Sequence, residues 1–250
     1  MSNLSFDAHS LAISIVSHGQ GALVRPLLLD LRQVALAGAK ILVTVNTPED
    51  ESFLQDLGYT PKIIRNPRPK GFGSNHNGAF SHADRPWFAV LNPDIRFDPA
   101  IFLPLMKAFD APGVGVSVPK IVSPQGQHED SVRRFPSTLR ILKRVLARLL
   151  RRRLGPDYDV EVENSFTVDW AGGMFMLFSS SAYSSVNGFD GRYFMYLEDA
   201  DICRRLGERG LSTVCVPTVS AIHDARRASS RNLKHLKWHL TSLARFLYQR

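Results

Sequence analysis

Short apolar runs alternate with amphipathic stretches along the first hundred residues. Leu11-Ala12-Ile13-Ser14-Ile15-Val16 has the pattern of a buried strand and stops at Ser17-His18-Gly19. Residues 21–37 place Leu23, Leu27, Leu28, Leu31 and Val34 on one helical face. A strand at Ile41-Leu42-Val43-Thr44-Val45, a short helix near 49–57 and a strand at Lys62-Ile63-Ile64 follow. A Gly- and Asn-rich loop then opens a helix near 74–82, and Trp87-Phe88-Ala89-Val90-Leu91 reads as the fourth strand. Apolar strands separated by helices predict an α/β fold with a mostly parallel sheet and right-handed crossovers. Ligands of such sheets sit beyond the carboxyl ends of the strands, where Ser17-His18, Asn46 and Asn92-Pro93-Asp94 would fall.

The pattern loosens after residue 100. It predicts a helix at 100–109, a strand at Val114–Val118 and a helix from Leu139 to Leu154. Strands around Phe166–Trp170 and Met174–Phe178 come next, then a helix near 199–209, a strand at Ser212–Val216 and a last helix near 232–248. In the stretch 139–154, Leu139, Leu142, Val145, Leu146, Leu149, Leu150 and Leu154 keep helical spacing. Arg140, Lys143, Arg144, Arg148, Arg151 and Arg152 take the other face.

With 250 residues, 44% of them apolar, the chain can bury a full core as one large domain or two small ones. Its net charge of +8 is unevenly placed: residues 131–156 hold nine Arg and Lys and no acid, and residues 223–250 hold seven beside the single Asp224. The remainder is mildly acidic, so the basic charge points to an anionic partner at a defined surface. Cys203 and Cys215 are too few for a disulfide framework and read as reduced core thiols. No signal segment opens the sequence and no apolar run approaches membrane-spanning length, so a cytoplasmic enzyme is expected.

Two acidic segments carry the candidate chemistry. Leu91-Asn92-Pro93-Asp94 delivers a carboxylate to the end of a buried strand, either as a turn residue or as an oxygen ligand for Mg²⁺ or Mn²⁺. Tyr196-Leu197-Glu198-Asp199-Ala200-Asp201 packs three acids into four residues. Helix capping explains some of that charge, and three acids exceed what capping requires. Such a cluster can help hold a cation and leave a carboxylate to remove a proton. Gly71-Phe72-Gly73-Ser74-Asn75-His76-Asn77-Gly78 is either a plain loop or a close approach to an anion. His223 is either a loop histidine or a metal ligand.

Taken together, these segments resemble the GT-A nucleotide-sugar glycosyltransferases of family 2, in the bacterial branch that contains rhamnosyltransferases. The resemblance runs over about residues 11–246. It rests on Ile15-Val16-Ser17-His18, Gly71-Phe72-Gly73 with Asn75-His76-Asn77, Leu91-Asn92-Pro93-Asp94 and Trp170-Ala171-Gly172-Gly173-Met174-Phe175-Met176. Gly188-Phe189-Asp190 with Phe194-Met195-Tyr196, the acids from Glu198 to Asp201, and His223 complete it. It implies a GT-A domain over 1–222, with a nucleotide-sugar-binding half (1–98) and an acceptor-binding half (99–222), and a basic C-terminal helical extension over 223–250. Asp94 would bind the metal that bridges the donor diphosphate, with His223 as a further ligand. Ser17, His18, Asn46, Gly71, Gly73, Asn75, Asn77 and Asn92 would line the donor side. Trp170, Gly172, Gly173 and Asp201 would shape the acceptor and sugar pocket. Asp199, beside Glu198, would be the general base of an inverting transfer. Asn92 stands in place of the metal motif's first Asp, and Val45 replaces an Asp that usually precedes Asn46 and helps hold the base.

The implied donor is a dTDP- or UDP-sugar, rhamnose first among them, and the implied acceptor is polyprenyl-diphosphate-linked or a polysaccharide. The basic helix at 139–154 has three readings: core packing with a solvated basic face, nucleic-acid binding, or contact with an anionic membrane. No aromatics interleave its arginines, so nucleic acid is not expected, and peripheral attachment at the inner face of the cytoplasmic membrane fits best. A sugar-nucleotide-forming nucleotidyltransferase is the alternative within the fold, but it would want Arg and Lys in a Gly-rich loop where Ser17-His18-Gly19-Gln20 stands. A non-catalytic basic membrane- or nucleic-acid-binding protein would leave the acids unexplained.

Overall fold

The strands expected in the first hundred residues form side by side in the computed structural model, which describes residues 6–152, 154–223 and 233–249. In chain order the first elements are β1 (Leu11–Ser17), α1 (Gly21–Asp30), α2 (Arg32–Leu36), β2 (Lys40–Val45), β3 (Lys62–Arg65), α3 (Phe72–Phe80) and β4 (Trp87–Leu91). The single helix expected over 21–37 is two pieces joined by a tightened turn, in which the Leu31 N–H reaches the carbonyls of Leu27 and Leu29. The helix expected near 49–57 is one 3₁₀ turn at Glu51–Leu54, capped by the Asp50 side chain.

The second half continues with β5 (Ile95–Arg96), α4 (Phe102–Lys107), β6 (Val114–Val122), β7 (Val132–Arg133) and α5 (Thr138–Leu149). Then come β8 (Phe166–Val168), β9 (Trp170–Ala171), β10 (Phe175–Ser179), α6 (Ser180–Ser185), α7 (Glu198–Glu208), β11 (Ser212–His223) and α8 (Leu233–Tyr248). α5 stops short of Leu154 because Arg151 turns left-handed (φ 52°) and the Arg152 N–H closes on the Ala147 carbonyl. β11 runs well past Val216: its register shifts between Val216 and Ser220, a bulge that accommodates Pro217, and pairing then resumes. The stretch 224–232, part of the expected basic extension, lies outside the described residues.

The main sheet has the order β3-β2-β1-β4-β10-β6-β11-β5, with β8 also paired to β11. The ladders from β3 to β4 are parallel, as the apolar runs predict. Beyond β4 the sheet is mixed. β10 runs antiparallel to both neighbours, β11 is parallel to β6, and β5 and β8 are antiparallel to β11. A separate ribbon pairs β7 with β9. One sheet therefore runs through both halves of the chain.

Alternation on β1 splits the core in two. Ile13 and Ile15 enter a cluster with Leu27, Leu28, Val43 and Phe102 on one face. Ala12 joins Leu42, Phe88, Val90 and Tyr183 on the other. Burial on both faces is why the central strands read as unbroken apolar runs.

Candidate active site

Reversal of β10 creates the site. Because β10 is antiparallel to β4, its first residue, Phe175, lies opposite Leu91, the last residue of β4. Gly172-Gly173-Met174 therefore arrive at the edge where Asn92-Pro93-Asp94 leave the sheet, and the Asn92 N–H donates to the Met174 carbonyl at 2.9 Å. His18 and Asn46 follow β1 and β2 at the same edge. These groups, Trp170, Glu198 and Asp199 line one cleft of about 970 Å³. The two acidic segments, more than a hundred residues apart, share it.

Asp94 meets His223 through the last turn of the sheet. β5 begins right after Asp94 and pairs with the end of β11, setting His223 opposite Ile95. His223 Nε2 lies 3.4 Å from Asp94 Oδ2, and Nδ1 lies 2.8 Å from Glu129 Oε2. Burial alone would lower the imidazole pKa, but hydrogen bonds to the two carboxylates outweigh it and raise the value to about 9. Asp94 Oδ1 is buried and has no hydrogen-bond partner among the described residues. Among those residues no group of three or more His, Cys, Asp or Glu is placed to hold a metal by itself. The Asp94 carboxylate, with Oδ1 unfilled, and the His223 imidazole, on release of its proton, instead fit a hard cation that would take its remaining ligands from phosphate.

Glu198 and Asp199 open α7 from a strained approach, with Tyr196 and Leu197 both left-handed at φ 73° and 64°. That turn aims Asp199 into the cleft. Its Oδ2 accepts from the Gly173 N–H at 3.0 Å, and its Oδ1 accepts from the Ala200 N–H at 2.8 Å. Burial raises the Asp199 pKa, against the pull of these two amides and of Arg133. Glu198 is pushed well above the ordinary carboxylate range by burial and by its neighbour Asp199, and its Oε2 has no partner among the described residues. The two amide donors favour negative charge on Asp199, and burial beside that charge favours the proton on Glu198.

Other expected site residues stand differently. Asp201 faces away from the cleft: it is 2% exposed and bonds Arg204 at 3.1 Å and Arg205 at 2.7 Å. Those ion pairs exclude it from the acceptor and sugar pocket. Asn77 is also removed from the donor side, since it holds Tyr183, and its Oδ1 and Nδ2 bond the Phe189 backbone. Ser17 is fully buried, and its Oγ accepts from the Gln20 N–H. Gly71 and Gly73 lie behind the wall, where a Cβ would strike the Phe194 backbone and the Phe189 side chain respectively.

Asn46 does line the cleft, but its amide holds the Lys70 backbone, His18 and Asn66. Asn75 also lines it and braces the same loop through Lys70, Gly71 and Asn66. His18, Asn92, Trp170, Gly172 and Gly173 form its surface. The Trp170 indole donates to the Arg134 carbonyl.

Sequence pattern assigns no individual role to several residues in and around the cleft. Glu129 follows a polar loop and gave no periodic signal. Arg133 was counted only as charge; β7 sets it opposite Trp170, its guanidinium lying 5.5 Å from the ring centroid and 3.0 Å from Asp130. His76 packs edge-on against Phe72, accepts or donates at Ser14, and is driven by burial to a pKa of about 3. Its Nε2 and Ser131 Oγ are buried without partners among the described residues. Buried polar atoms are seldom left unpaired, and Asp94, His76, Ser131 and Glu198 all supply one to this cleft. The far wall comes from Ile141 and Arg144 of α5 and from Lys234, His235, Trp238, His239 and Leu243 of α8.

The family model described as glycosyl transferase family 2 matches residues 44–177. The chain belongs to glycosyl transferase family 2. This glycosyltransferase is 31% identical over 247 residues to rhamnosyltransferase WbbL of Escherichia coli (strain K12), covering 94% of this chain and 91% of that one. It is 33% identical over 177 residues to the N-acetylglucosaminyl-diphospho-decaprenol L-rhamnosyltransferase of Mycobacterium tuberculosis (strain ATCC 25618 / H37Rv). That match covers 66% of this chain and 55% of the mycobacterial enzyme, so it spans about half of the relative.

Two solved structures share the GT-A fold with it. GalNAc-T7 with UDP, GalNAc and Mn²⁺ gives a TM-score of 0.64 at 14% identity, over 87% of this chain and 43% of the other. The mannosyltransferase PcManGT from Pyrobaculum calidifontis with GDP-Man and Mn²⁺ gives 0.62 at 14% identity, over 97% and 67%.

Proposed function

We propose that this glycosyltransferase moves rhamnose from a dTDP donor to a hydroxyl of a polyprenyl-diphosphate-linked or polysaccharide acceptor, with inversion at the anomeric carbon, in bacterial cell-surface glycan assembly. One observation carries the reading: Asp94 and the Glu198–Asp199 pair line a single cleft, and each segment presents a buried carboxylate oxygen with no partner among the described residues. The names of the two curated relatives support the sugar, and the mycobacterial one supports a lipid-linked acceptor.

Asp199 is the general base. The amides of Gly173 and Ala200 fix its orientation, and its raised pKa makes it a better proton acceptor than an ordinary carboxylate. Glu198, held neutral, leaves the negative charge of the pair on Asp199 alone. Arg133 lines the same cleft and its charge lowers the pKa of the base, against the effect of burial. Asp94 and His223 would hold Mg²⁺ or Mn²⁺ beside the donor diphosphate. When bound, the ion neutralises charge building on the departing diphosphate. Trp170, Gly172 and Gly173 form the floor on which the sugar ring rests. The protein works peripherally at the inner face of the cytoplasmic membrane.

A thermal-shift panel of nucleotide sugars with and without Mn²⁺ tests this. Saturation at about a hundred times Kd adds about 2.7 kcal/mol, a Tm rise of roughly 5–10 °C for a chain of this size. dTDP-rhamnose should give that rise in Mn²⁺, and Asp94→Ala should abolish it. No response to any nucleotide sugar, or equal affinity of Asp94→Ala by calorimetry, overturns the assignment.

A further inference from the structure

α5 turns its apolar side to the outside. Leu139, Leu142, Leu146 and Leu149 are 62%, 63%, 53% and 75% exposed, and Leu150 and Leu154 just beyond are 56% and 57% exposed. The first four fall at helical spacings of three, four and three residues, one continuous stripe. Its polar side faces the body of the protein: Arg140 and Arg144 reach the two carboxylate oxygens of Asp157 at 3.2 and 3.0 Å, and Ala147 is buried. The basic face read from the sequence is thus, in part, the packed face.

Charge on the outer side identifies what covers the stripe. Lys143, Arg151 and Arg152 are exposed beside the leucines, and residues 131–156 contain no acid. Leucines ringed by cations match the boundary between acyl chains and anionic headgroups. Twelve helical residues extend about 18 Å, well short of the ~30 Å hydrocarbon core, so α5 is too short to cross a bilayer. Ile141 and Arg144 of the same helix form part of the cleft wall. α8 repeats the arrangement, with Lys234, Trp238 and His239 in the cleft wall and Leu236 and Leu240 exposed.

We propose that the leucine stripe of α5 inserts into the interfacial layer of an anionic bilayer, with Lys143, Arg151 and Arg152 on lipid phosphates. This holds the mouth of the cleft at the membrane surface. The inference rests on the lipid-linked acceptor reading: an acceptor anchored by its polyprenyl tail then reaches the cleft without leaving the bilayer.

The test compares the full chain with Leu142→Glu/Leu146→Glu, neither of which lines the cleft. Flotation uses vesicles of phosphatidylglycerol mixed with phosphatidylcholine, against phosphatidylcholine alone. The parent should float with the anionic vesicles, and the double variant should partition at least about a hundredfold more weakly. The variant should keep rhamnosyl transfer to a short-chain, water-soluble acceptor and lose it to one embedded in vesicles. Equal flotation of parent and variant overturns the proposal. So does a parent that ignores anionic vesicles at moderate salt, including one whose leucines close a dimer that light scattering detects and the variant dissolves. Flotation without transfer to either acceptor leaves the docking face standing and removes the rhamnosyl-transfer reading instead.

Discussion

Asp199→Asn isolates proton removal from everything else the cleft does. The two side chains have the same shape, so the floor formed by Gly172 and Gly173 is not disturbed. The parent carboxylate accepts one amide at each oxygen, from Gly173 and from Ala200. Asn keeps one acceptor and sets an NH₂ against the other N–H, which costs about 1–3 kcal/mol. Removing a buried charge offsets a similar amount, because burial raises the Asp199 pKa and each pKa unit corresponds to about 1.4 kcal/mol. The melting temperature should therefore stay within a few degrees of the parent. Catalysis has no such compensation: loss of a positioned base should lower kcat by about 10²–10⁴-fold, with the donor KM nearly unchanged. Initial rates of transfer under saturating donor and Mn²⁺, with thermal melts of both proteins, give the comparison. A kcat within about tenfold of the parent, less than a general base contributes, refutes the assignment. A parallel collapse of Tm and rate would show that Asp199 is a structural carboxylate.

The elements that were legible are those whose environment is set locally. β1, β2 and β4 are buried on both faces, so their sequences are unbroken apolar runs, and the strand ends at Ser17, Asn46 and Asp94 follow from them. Within the acidic segment, pattern alone could not separate Asp199 from Asp201. The distinguishing signal was nonetheless present: Arg204 and Arg205 stand three and four residues after Asp201, the helical spacing of an ion pair. Glu129 was illegible for a different reason. Its backbone N–H reaches Ile121 alongside β6, and β6 carries it toward the end of β11, so its approach to His223 is made by register between distant strands. The inversion of α5 shows a third limit. Periodicity establishes that a helix has two faces, while a half-buried partner, here Asp157, decides which of them turns inward.

Three further outcomes follow from the same geometry. Asp201→Ala leaves Arg204 and Arg205 without their buried partner, which should cost about 3 kcal/mol, a Tm loss of roughly 6–12 °C; kcat per folded molecule should hold, and a selective fall in kcat would return Asp201 to the reaction. Gly71→Ala drives a Cβ to 2.5 Å from the Phe194 carbonyl oxygen, a backbone atom that cannot swing aside; a loss of about 1–3 kcal/mol is expected, and unchanged Tm with weakened donor binding would make Gly71 a donor contact after all. Glu198→Gln has a pH signature. The folded-state pKa of Glu198 lies well above its ordinary value of 4.5, so between the two values the folded chain binds more protons than the unfolded one and stability falls as pH rises. Gln cannot titrate, so the variant should match the parent most closely near pH 4 and gain on it toward neutrality, by about 1.4 kcal/mol for every pH unit spanned. Denaturant titrations across that range read the difference, and parallel pH slopes in the two proteins would show that Glu198 ionises in the fold as freely as in water, leaving Asp199 without its neutral neighbour.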